Sequence, residues 1–433
     1  MERKYRDSGI PWMKYIPADW NVVRGKDFLF LRNRSVREDD DVVTCFRDGE
    51  VILRNQRRTE GFTMSDKEIG YQGINKGDIV IHGMDGFAGA MGVSKSTGKG
   101  SPVLIVCNPK SDDDARYIIY YLRSLAMNNV FVALATGIRE RSCDLRWNKI
   151  SVLPFVRPSS VEQTIIADYI DKKCGEIDSL IALQEQMIEK LKVYKQSVIT
   201  EAVTKGLDPN AKLVPSGIDW IGDIPEGWRI LRIKKISSDY KAGPFGSALI
   251  TGNLLHEGSI LVYTPEHVAD TSKISQNINN LYLQEERREE MSQFFVKAGD
   301  VVFPIVGSLG RAIIIDENMP EGIINQRLSK FSINREKIDE GYFMWLFGKS
   351  EFYAKYIEMN CRGSFIVNLT KVIVGDMPLP LPSLCEQQAI ASYLNGKCAD
   401  IDHLIALKQQ KIESLKDYKK SVIYEAVTGK TIV

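Results

Sequence analysis

The sequence predicts an α+β chain: two similar α/β domains separated by two long antiparallel helices that pair as a coiled coil, built as an internal pseudo-two-fold repeat. Three observations carry this prediction. Residues 162–204 and 386–428, aligned at a fixed offset, agree at about 27 of 43 positions, which composition bias does not produce. Both stretches place apolar residues at helical steps of three and four: Ile170, Ile177, Leu180, Ile181, Met187, Ile188, Leu191, Tyr194 and Val198 in the first, Leu394, Ile401, Leu404, Ile405, Ile412, Leu415, Tyr418 and Val422 in the second. That spacing makes an apolar seam which needs a partner helix. Each stretch also follows the same order of parts, an entry motif, a diverged region and a proline-rich approach.

Taken in order, Ser8-Gly-Ile-Pro-Trp12 recurs as Ser216-Gly-Ile-Asp-Trp220, and Ile16-Pro17-x-x-Trp20 recurs as Ile224-Pro225-x-x-Trp228. In the first diverged region, residues 42–46, 51–54, 78–82 and 103–107 have the β-branched content of short strands. Residues 115–127 carry Ile118, Ile119, Leu122 and Leu125 at helical spacing. In the second region the expected strands are 260–264, 300–306, 312–316 and 329–333, with a matching helix over 342–356. Gly77-Asp78 and Gly299-Asp300 are equivalent strand starts, each followed by a glycine-rich turn.

The proline segments 153–158 and 377–382 force an extended lead-in to each long helix. Ser159 or Ser160, and Ser383 in the second copy, are candidate N-caps, while Gly206 and Gly429 are stop signals. A helix of this length measures about 65 Å at 1.5 Å per residue. The row Ile181, Ile188, Ile405 and Ile412 widens the stripe beyond what a helix pair needs, leaving area for other subunits or for packing against the two domains. The expected divisions are 1–155 for the first domain, 156–210 for the first helix, 211–380 for the second domain and 381–433 for the second helix.

Composition is that of a soluble globular chain, with 44% hydrophobic, 9% aromatic and 26% charged residues. Lys+Arg 57 against Asp+Glu 56 gives no global basic signal, so any nucleic-acid surface must be local. No apolar run approaches bilayer length and the N-terminus is charged, which predicts a cytoplasmic protein without membrane contact. The seven cysteines show no Cys-x-x-Cys spacing and the four histidines form no local zinc pattern; Cys174 and Cys398, equivalent in the repeat, are expected as small packing residues.

The tools of catalysis are missing from the sequence. Asn108-Pro109-Lys110 lacks the second proline and the aromatic ring of an amino-methyltransferase motif. The glycine-rich residues 83–92 lack the G-x-G-x-x-G spacing of a dinucleotide loop, and no G-x-x-x-x-G-K-[ST] occurs. Consecutive carboxylates over 38–41 point in different directions and suit a solvated loop better than a metal site.

Binding has more support. Arg54, Asn55, Gln56, Arg57 and Arg58 form one cluster; Arg139, Arg141, Arg146 and Lys149 form another shortly before the first long helix. In the second domain Ser308, Arg311, Asn325, Gln326, Arg327 and Arg362 fall on predicted turns and strand ends. Arg pairs with guanine O6 and N7, Asn and Gln with adenine edges, and Lys and Arg neutralise phosphates. Gly243, Phe245, Gly246 and Ser247 belong to a Gly-Pro-Phe-Gly-Ser run whose backbone N–H groups suit a phosphate. Each arginine alone reads more readily as an exposed salt-bridge partner, so the clusters carry the reading and not their members; Arg287-Arg288, set among Glu285, Glu286, Glu289 and Glu290, suit a solvated face.

With the duplicated proline approach, Glu-Gln and long helix, the Ile-Pro-x-x-Trp entries, the Gly-Asp strands and Gly243-Pro244-Phe245-Gly246-Ser247, the chain resembles the specificity (S) subunits of type I restriction-modification systems over essentially its whole length. The first domain departs from that pattern, having no Gly-Pro-Phe-Gly-Ser counterpart. The resemblance implies a non-catalytic DNA-recognition subunit of bacterial or archaeal defence, with two target-recognition domains. Each would read one half of an asymmetric bipartite duplex target, the helices fixing the spacer and docking two methyltransferase (modification) subunits. It implies no cofactor on this chain; S-adenosylmethionine, ATP and Mg would serve the modification subunits and any restriction (translocase/nuclease) subunits. The residues alone leave two other classes open: a coiled-coil scaffold without DNA specificity, and a DNA-modifying enzyme whose motifs escape notice.

Overall fold

The two long helices run Ser160–Lys205 and Leu384–Val427 in the computed structural model. It describes residues 3–57, 69–134, 145–244, 249, 254–268, 280–306, 310–349, 351–360 and 369–433. Ser159 caps the first helix: its Oγ accepts the Glu162 N–H at 3.3 Å, as Ser383 Oγ accepts the Glu386 N–H at 3.3 Å. Past the C-termini Gly206 and Gly429 sit at φ 76° and 69°. That left-handed conformation costs glycine little. No helix among the described residues is long and apolar enough to cross a membrane.

The chain divides into two units, Met1–Glu185 with Gln409–Val433, and Gln186–Lys408. Each holds the start of one long helix and the end of the other. In the first unit Ile166, Ile170 and Cys174 join the core with Ile423, Ala426 and Val427, and Ile177 packs with Leu415 and Val422. In the second, Val198, Ile199, Ala202 and Val203 share a core with Ile390, Ala391, Leu394 and Cys398. The pairing is antiparallel in both, because rising numbers on one helix meet falling numbers on the other. Each fully buried Ile, Leu or Val contributes roughly 1.5–3 kcal/mol.

Of the expected seam, Ile170, Ile177, Val198, Leu394, Ile401, Leu415 and Val422 are buried, while part of it turns outward. Leu180, Met187 and Tyr194 are 47%, 39% and 48% exposed, and Leu404 and Tyr418 are 45% and 55% exposed. The row expected to face outward is turned inward as well: Ile188 and Ile412 are buried, Ile181 and Ile405 half-buried. The phase is set by polar residues at seam positions. Lys195 and Lys419 bury their stems there and send the ammonium to Asp402 and Asp178 at 2.6 Å. The outward apolar residues are therefore Leu180, Leu183, Met187 and Tyr194 on the first helix, and Leu404, Leu407 and Tyr418 on the second.

Both domains are built on one sheet. In the first, strands Leu29–Leu31, Leu104–Pro109, Ile79–His82 and Met91–Val93 lie in that order, all antiparallel. In the second, Ser237–Ala242, Leu328–Ile333, Asp300–Pro304 and Ile313–Ile314 repeat the order and the sense. The domains differ beside that sheet. The first adds two small ribbons, Val43–Cys45 with Val51–Leu53 and Gln72–Ile74 with Gly98–Gly100. The second adds Ile260–Tyr263, paired antiparallel to Tyr282–Leu283 and parallel to Gly322–Ile324. The Ala115–Met127 helix stands as its apolar spacing predicts. The single helix expected over 342–356 is two, Glu340–Phe347 and Glu351–Asn360. The first closes when the Gly348 and Lys349 amides both bond to the Met344 carbonyl, at 2.9 and 3.0 Å.

The repeated dipeptide and the repeated tryptophan form one clasp. Glu162 accepts the Trp20 indole N–H at 2.9 Å and Glu386 accepts that of Trp228 at 3.1 Å. Arg3 also pairs with Glu162. Gln163 and Gln387 are fully buried. Gln163 Oε1 accepts the Asp114 N–H (3.0 Å) and its amide donates to Asp113 Oδ1 (2.8 Å) and the Pro158 carbonyl (3.1 Å). Gln387 likewise accepts the Asp339 N–H (2.8 Å) and donates to the Pro382 carbonyl (2.9 Å). Asp114 and Asp339 are themselves the N-caps of Ala115–Met127 and Glu340–Phe347. Each clasp thus ties entry motif, proline segment, long helix and domain helix together.

The Gly-Asp strand starts are a second shared device. Gly77 and Gly299 turn the chain at φ 93° and 87°. The aspartate that follows is buried and collects donors. Asp78 takes Arg34, the Asn75 N–H (2.7 Å) and Asn108 Nδ2 (3.0 Å). Asp300 takes the Lys297 N–H (3.0 Å), Lys330 Nζ (2.7 Å) and the Ser332 hydroxyl (2.6 Å).

Candidate nucleic-acid interface

Several of the second-domain candidates meet at one end of its sheet. The Gly243 amide bonds to the Leu328 carbonyl (2.9 Å), Ile305 to the Arg327 carbonyl (2.9 Å), and Leu369 to the Ile305 carbonyl (3.0 Å). A Cβ on Gly243 would lie 1.8 Å from the Asn325 carbonyl oxygen, so only glycine permits that approach. Asn325 is buried and its side chain accepts the Arg327 N–H at 3.0 Å, a local turn that pushes Gln326 and Arg327 outward. Both are exposed; Arg327 stands 3.9 Å from Glu266, too far for a tight pair. Arg311 is exposed just before Ile313–Ile314, with no ion pair among the described residues. Phe245, Gly246, Ser247, Ser308 and Arg362 lie outside the described residues.

In the first domain the candidates separate into two places. Arg54–Gln56 form a short 3-10 turn. Arg54 Nε donates to the Thr44 hydroxyl (3.2 Å), and Asn55 reaches Asp41 (3.4 Å), one of the acidic residues over 38–41. Gln56 is exposed. Arg57 is engaged by carboxylates: Asp48 at 3.0 and 2.6 Å and Glu50 at 3.2 Å, with its guanidinium 4.3 Å from the Phe46 ring. The Arg57 hydrogen bond holds the Asp48 carboxyl below its usual range. Arg58, Arg139 and Arg141 lie outside the described residues.

Arg146 is the exposed residue before the short helix Trp147–Ile150, which carries Lys149 half-buried. Arg146 and Trp147 line a concavity of about 800 Å³ together with Arg32, Asn33, Gln72 and Met84. Arg32 and Asn33 belong to none of the clusters expected from the sequence. Their signal was faint, an Arg-Asn pair just past the strand Leu29–Leu31. The Glu285–Glu290 segment behaves as expected of a solvated face. Arg287 pairs with Glu290 (2.9 Å), and Arg288 with Glu285 (2.5 Å) and Glu321 (2.7 Å).

Among the described residues no group of three or more His, Cys, Asp or Glu side chains converges as a metal site. Cys45, Cys107, Cys174 and Cys398 are buried free thiols, Cys385 an exposed one. Burial pushes the Cys45 thiol up to about 12 and Cys174 to about 11, so both stay protonated packing groups at neutral pH.

Residues 227–417 match the family model for the type I restriction modification DNA specificity domain. The chain is 25% identical over 430 residues to the type I restriction enzyme MjaVIII specificity subunit of Methanocaldococcus jannaschii, covering 96% of this chain and 93% of that one. Its fold is similar to a chain of a solved type I R-M system (TM-score 0.72, 15% identity, 96% and 99% of the two chains). It is also similar to the HsdS subunit from Thermoanaerobacter tengcongensis (TM-score 0.56, 15% identity, 96% and 98%). The doubled clasp, the doubled sheet and these likenesses agree: residues 227–417 carry the type I restriction modification DNA specificity domain, and the chain as a whole is similar to the specificity subunits of type I restriction enzymes.

Proposed function

We propose that this chain is the DNA-reading, non-catalytic subunit of a cytoplasmic type I restriction-modification complex. Each domain reads one half of an asymmetric, bipartite duplex target, and the helices fix the spacer between the halves. One observation carries the proposal: a four-stranded sheet of the same order and sense in both domains bears unlike side chains at equivalent positions. Counting from Asp78 and Asp300 along paired strands, Val103 bonds to Gly83 as Arg327 bonds to Ile305. Ser101, Pro102 and Val103 thus stand where the second domain has Asn325, Gln326 and Arg327. A shared scaffold whose edge is polar in one domain and largely apolar in the other suits two different half-sites, since base edges are read by side-chain donors and acceptors and by apolar contact with the thymine methyl.

The outward leucines support the partner half of the proposal. Leu180 and Leu183, and their repeat equivalents Leu404 and Leu407, are each 45–49% exposed. A repeated apolar patch of this kind suits two copies of one partner, the modification subunit. Methyl transfer from S-adenosylmethionine then belongs to those subunits, and ATP- and Mg-dependent cleavage to a restriction subunit where one exists. The test is an exchange of residues 19–155 for the corresponding region of a relative, followed by methylome sequencing. One half of the methylated motif should change; a change in both halves, or in neither, refutes the assignment.

A further inference from the structure

We propose that the first domain reads its half-site from the concavity lined by Arg32, Asn33 and Arg146, with Arg32 as a pre-positioned base-reading guanidinium. The inference rests on the DNA-reading function proposed above and names the surface that performs it.

Three independent observations point to this face. The first is register. Pro102 and Val103, the counterparts of Gln326 and Arg327, line the concavity. Leu145 bonds to Gly83 as Leu369 bonds to Ile305, which carries the equivalence on to Arg146. Arg32 lies opposite Val106 as Lys241 lies opposite Lys330, so Arg32 and Asn33 take the places just before Gly243. The concavity is therefore the first-domain equivalent of the Gly243–Arg327 corner, and the Arg54–Gln56 turn is not part of it.

The second is charge. The concavity is lined by Arg32 with Asn33, Gln72 and Arg146, and among the described residues Arg32 makes no ion pair. Arg57, in contrast, sits against Asp48 and Glu50, and a phosphate approaching it meets those carboxylates. Met84, 60% exposed, and Trp147 add apolar surface of the kind that meets a thymine methyl or a sugar.

The third is pre-organisation. The Arg32 guanidinium lies 4.0 Å from the Phe30 ring centroid, and its Nε donates to Asn108 Oδ1 at 2.7 Å. Asn108 is held in turn by Asp78, the buried carboxylate of the Gly-Asp strand start. The Arg32 Nη1 and Nη2 groups bond to no other described residue. They are held as a fork whose free edge matches guanine O6 and N7. Asn33 is exposed beside it, an amide of the type that pairs with adenine N6 and N7.

The test uses the assembled complex of this chain with its modification subunits and a duplex bearing the motif that complex methylates. Arg32→Lys, which keeps the charge but not the fork, and Asn33→Ala should each lower affinity on the order of 10- to 100-fold. Each should also relax the methylated motif at positions within one half only. Arg288→Ala, on the solvated face, should leave both unchanged. Asn33 makes no side-chain bond within the described protein, so its variant reads recognition and not folding; thermal unfolding of each variant verifies this. If Arg32→Lys and Asn33→Ala keep affinity and motif, or if Arg57→Ala relaxes the motif while they do not, the assignment is overturned and the DNA-reading function stands. If the wild-type complex shows no sequence preference at all, that function falls and this inference with it.

Discussion

Replacing Gln163 by leucine removes the centre of the first clasp without creating a cavity. Gln163 is fully buried, and the substitution strands two backbone groups, the Asp114 N–H and the Pro158 carbonyl. An unsatisfied buried polar group costs about 1–3 kcal/mol, so the variant should lose roughly 2–6 kcal/mol. Asp113 adds little to this, because Arg157 still donates to it at 3.0 and 2.8 Å. Gln387→Leu strands the Asp339 N–H and the Pro382 carbonyl and should lose a similar amount in the other unit. A chain of two units need not unfold in one step, so the assay is hydrogen exchange read by mass spectrometry at the peptides containing Asp114 and Asp339. Each variant should speed exchange at its own clasp by at least 30-fold, about 2 kcal/mol of local opening, and leave the other clasp untouched. Thr164→Ala, which removes an exposed hydroxyl from the same helix turn, is the control. Exchange at the Asp114 peptide within twofold of wild type in Gln163→Leu would refute the view that the Glu-Gln dipeptide fastens domain to helix.

The remaining expectations concern burial, close approach and length. Lys330→Met leaves the buried Asp300 without its cation and should cost about 3–5 kcal/mol in urea unfolding, whereas Glu321→Gln, at an exposed pair with Arg288, should cost under about 1 kcal/mol. Gly243→Ala must displace the Asn325 carbonyl and should destabilise the second domain; Gly396→Ala, with nothing within 4 Å, should instead add about 0.5–1 kcal/mol of helix stability. Inserting one heptad at matching seam positions of both long helices should lengthen the spacer of the methylated motif and leave the half-sites as they are. An unchanged spacer would remove the helices from that role.

Much of the fold was legible because it occurs twice: a helix of this length cannot be repeated by chance, and the Gly-Asp and Ile-Pro-x-x-Trp signals gain weight from recurrence. The phase of the helix pair was legible only in part. Lys195 and Lys419 occupy seam positions, while Leu180, Leu183, Leu404 and Leu407 face out. Counting apolar residues therefore finds the buried Ile177, Leu415 and Val422 but also puts the exposed Leu180 and Leu404 in the seam, and only the distant aspartates that receive the lysine heads reveal the difference. The site divides in the same way. Asn325, Gln326 and Arg327 were expected on a turn or strand end, and a turn closed by the Asn325 side chain is what the structure has there. Arg32 depends on Asn108 and Asp78, far along the chain, and no local pattern announces such a contact. The Arg54–Arg57 cluster was conspicuous as a run of charge, yet Asp48 and Glu50, a few residues before it, take up Arg57.

Methylome sequencing of the host with and without this chain tests the central claim most directly. A single asymmetric motif, two short specified elements flanking a spacer of fixed length and free sequence, should be present with the chain and vanish on its deletion. A methylation pattern that survives the deletion, or a continuous motif without a spacer, would contradict the account.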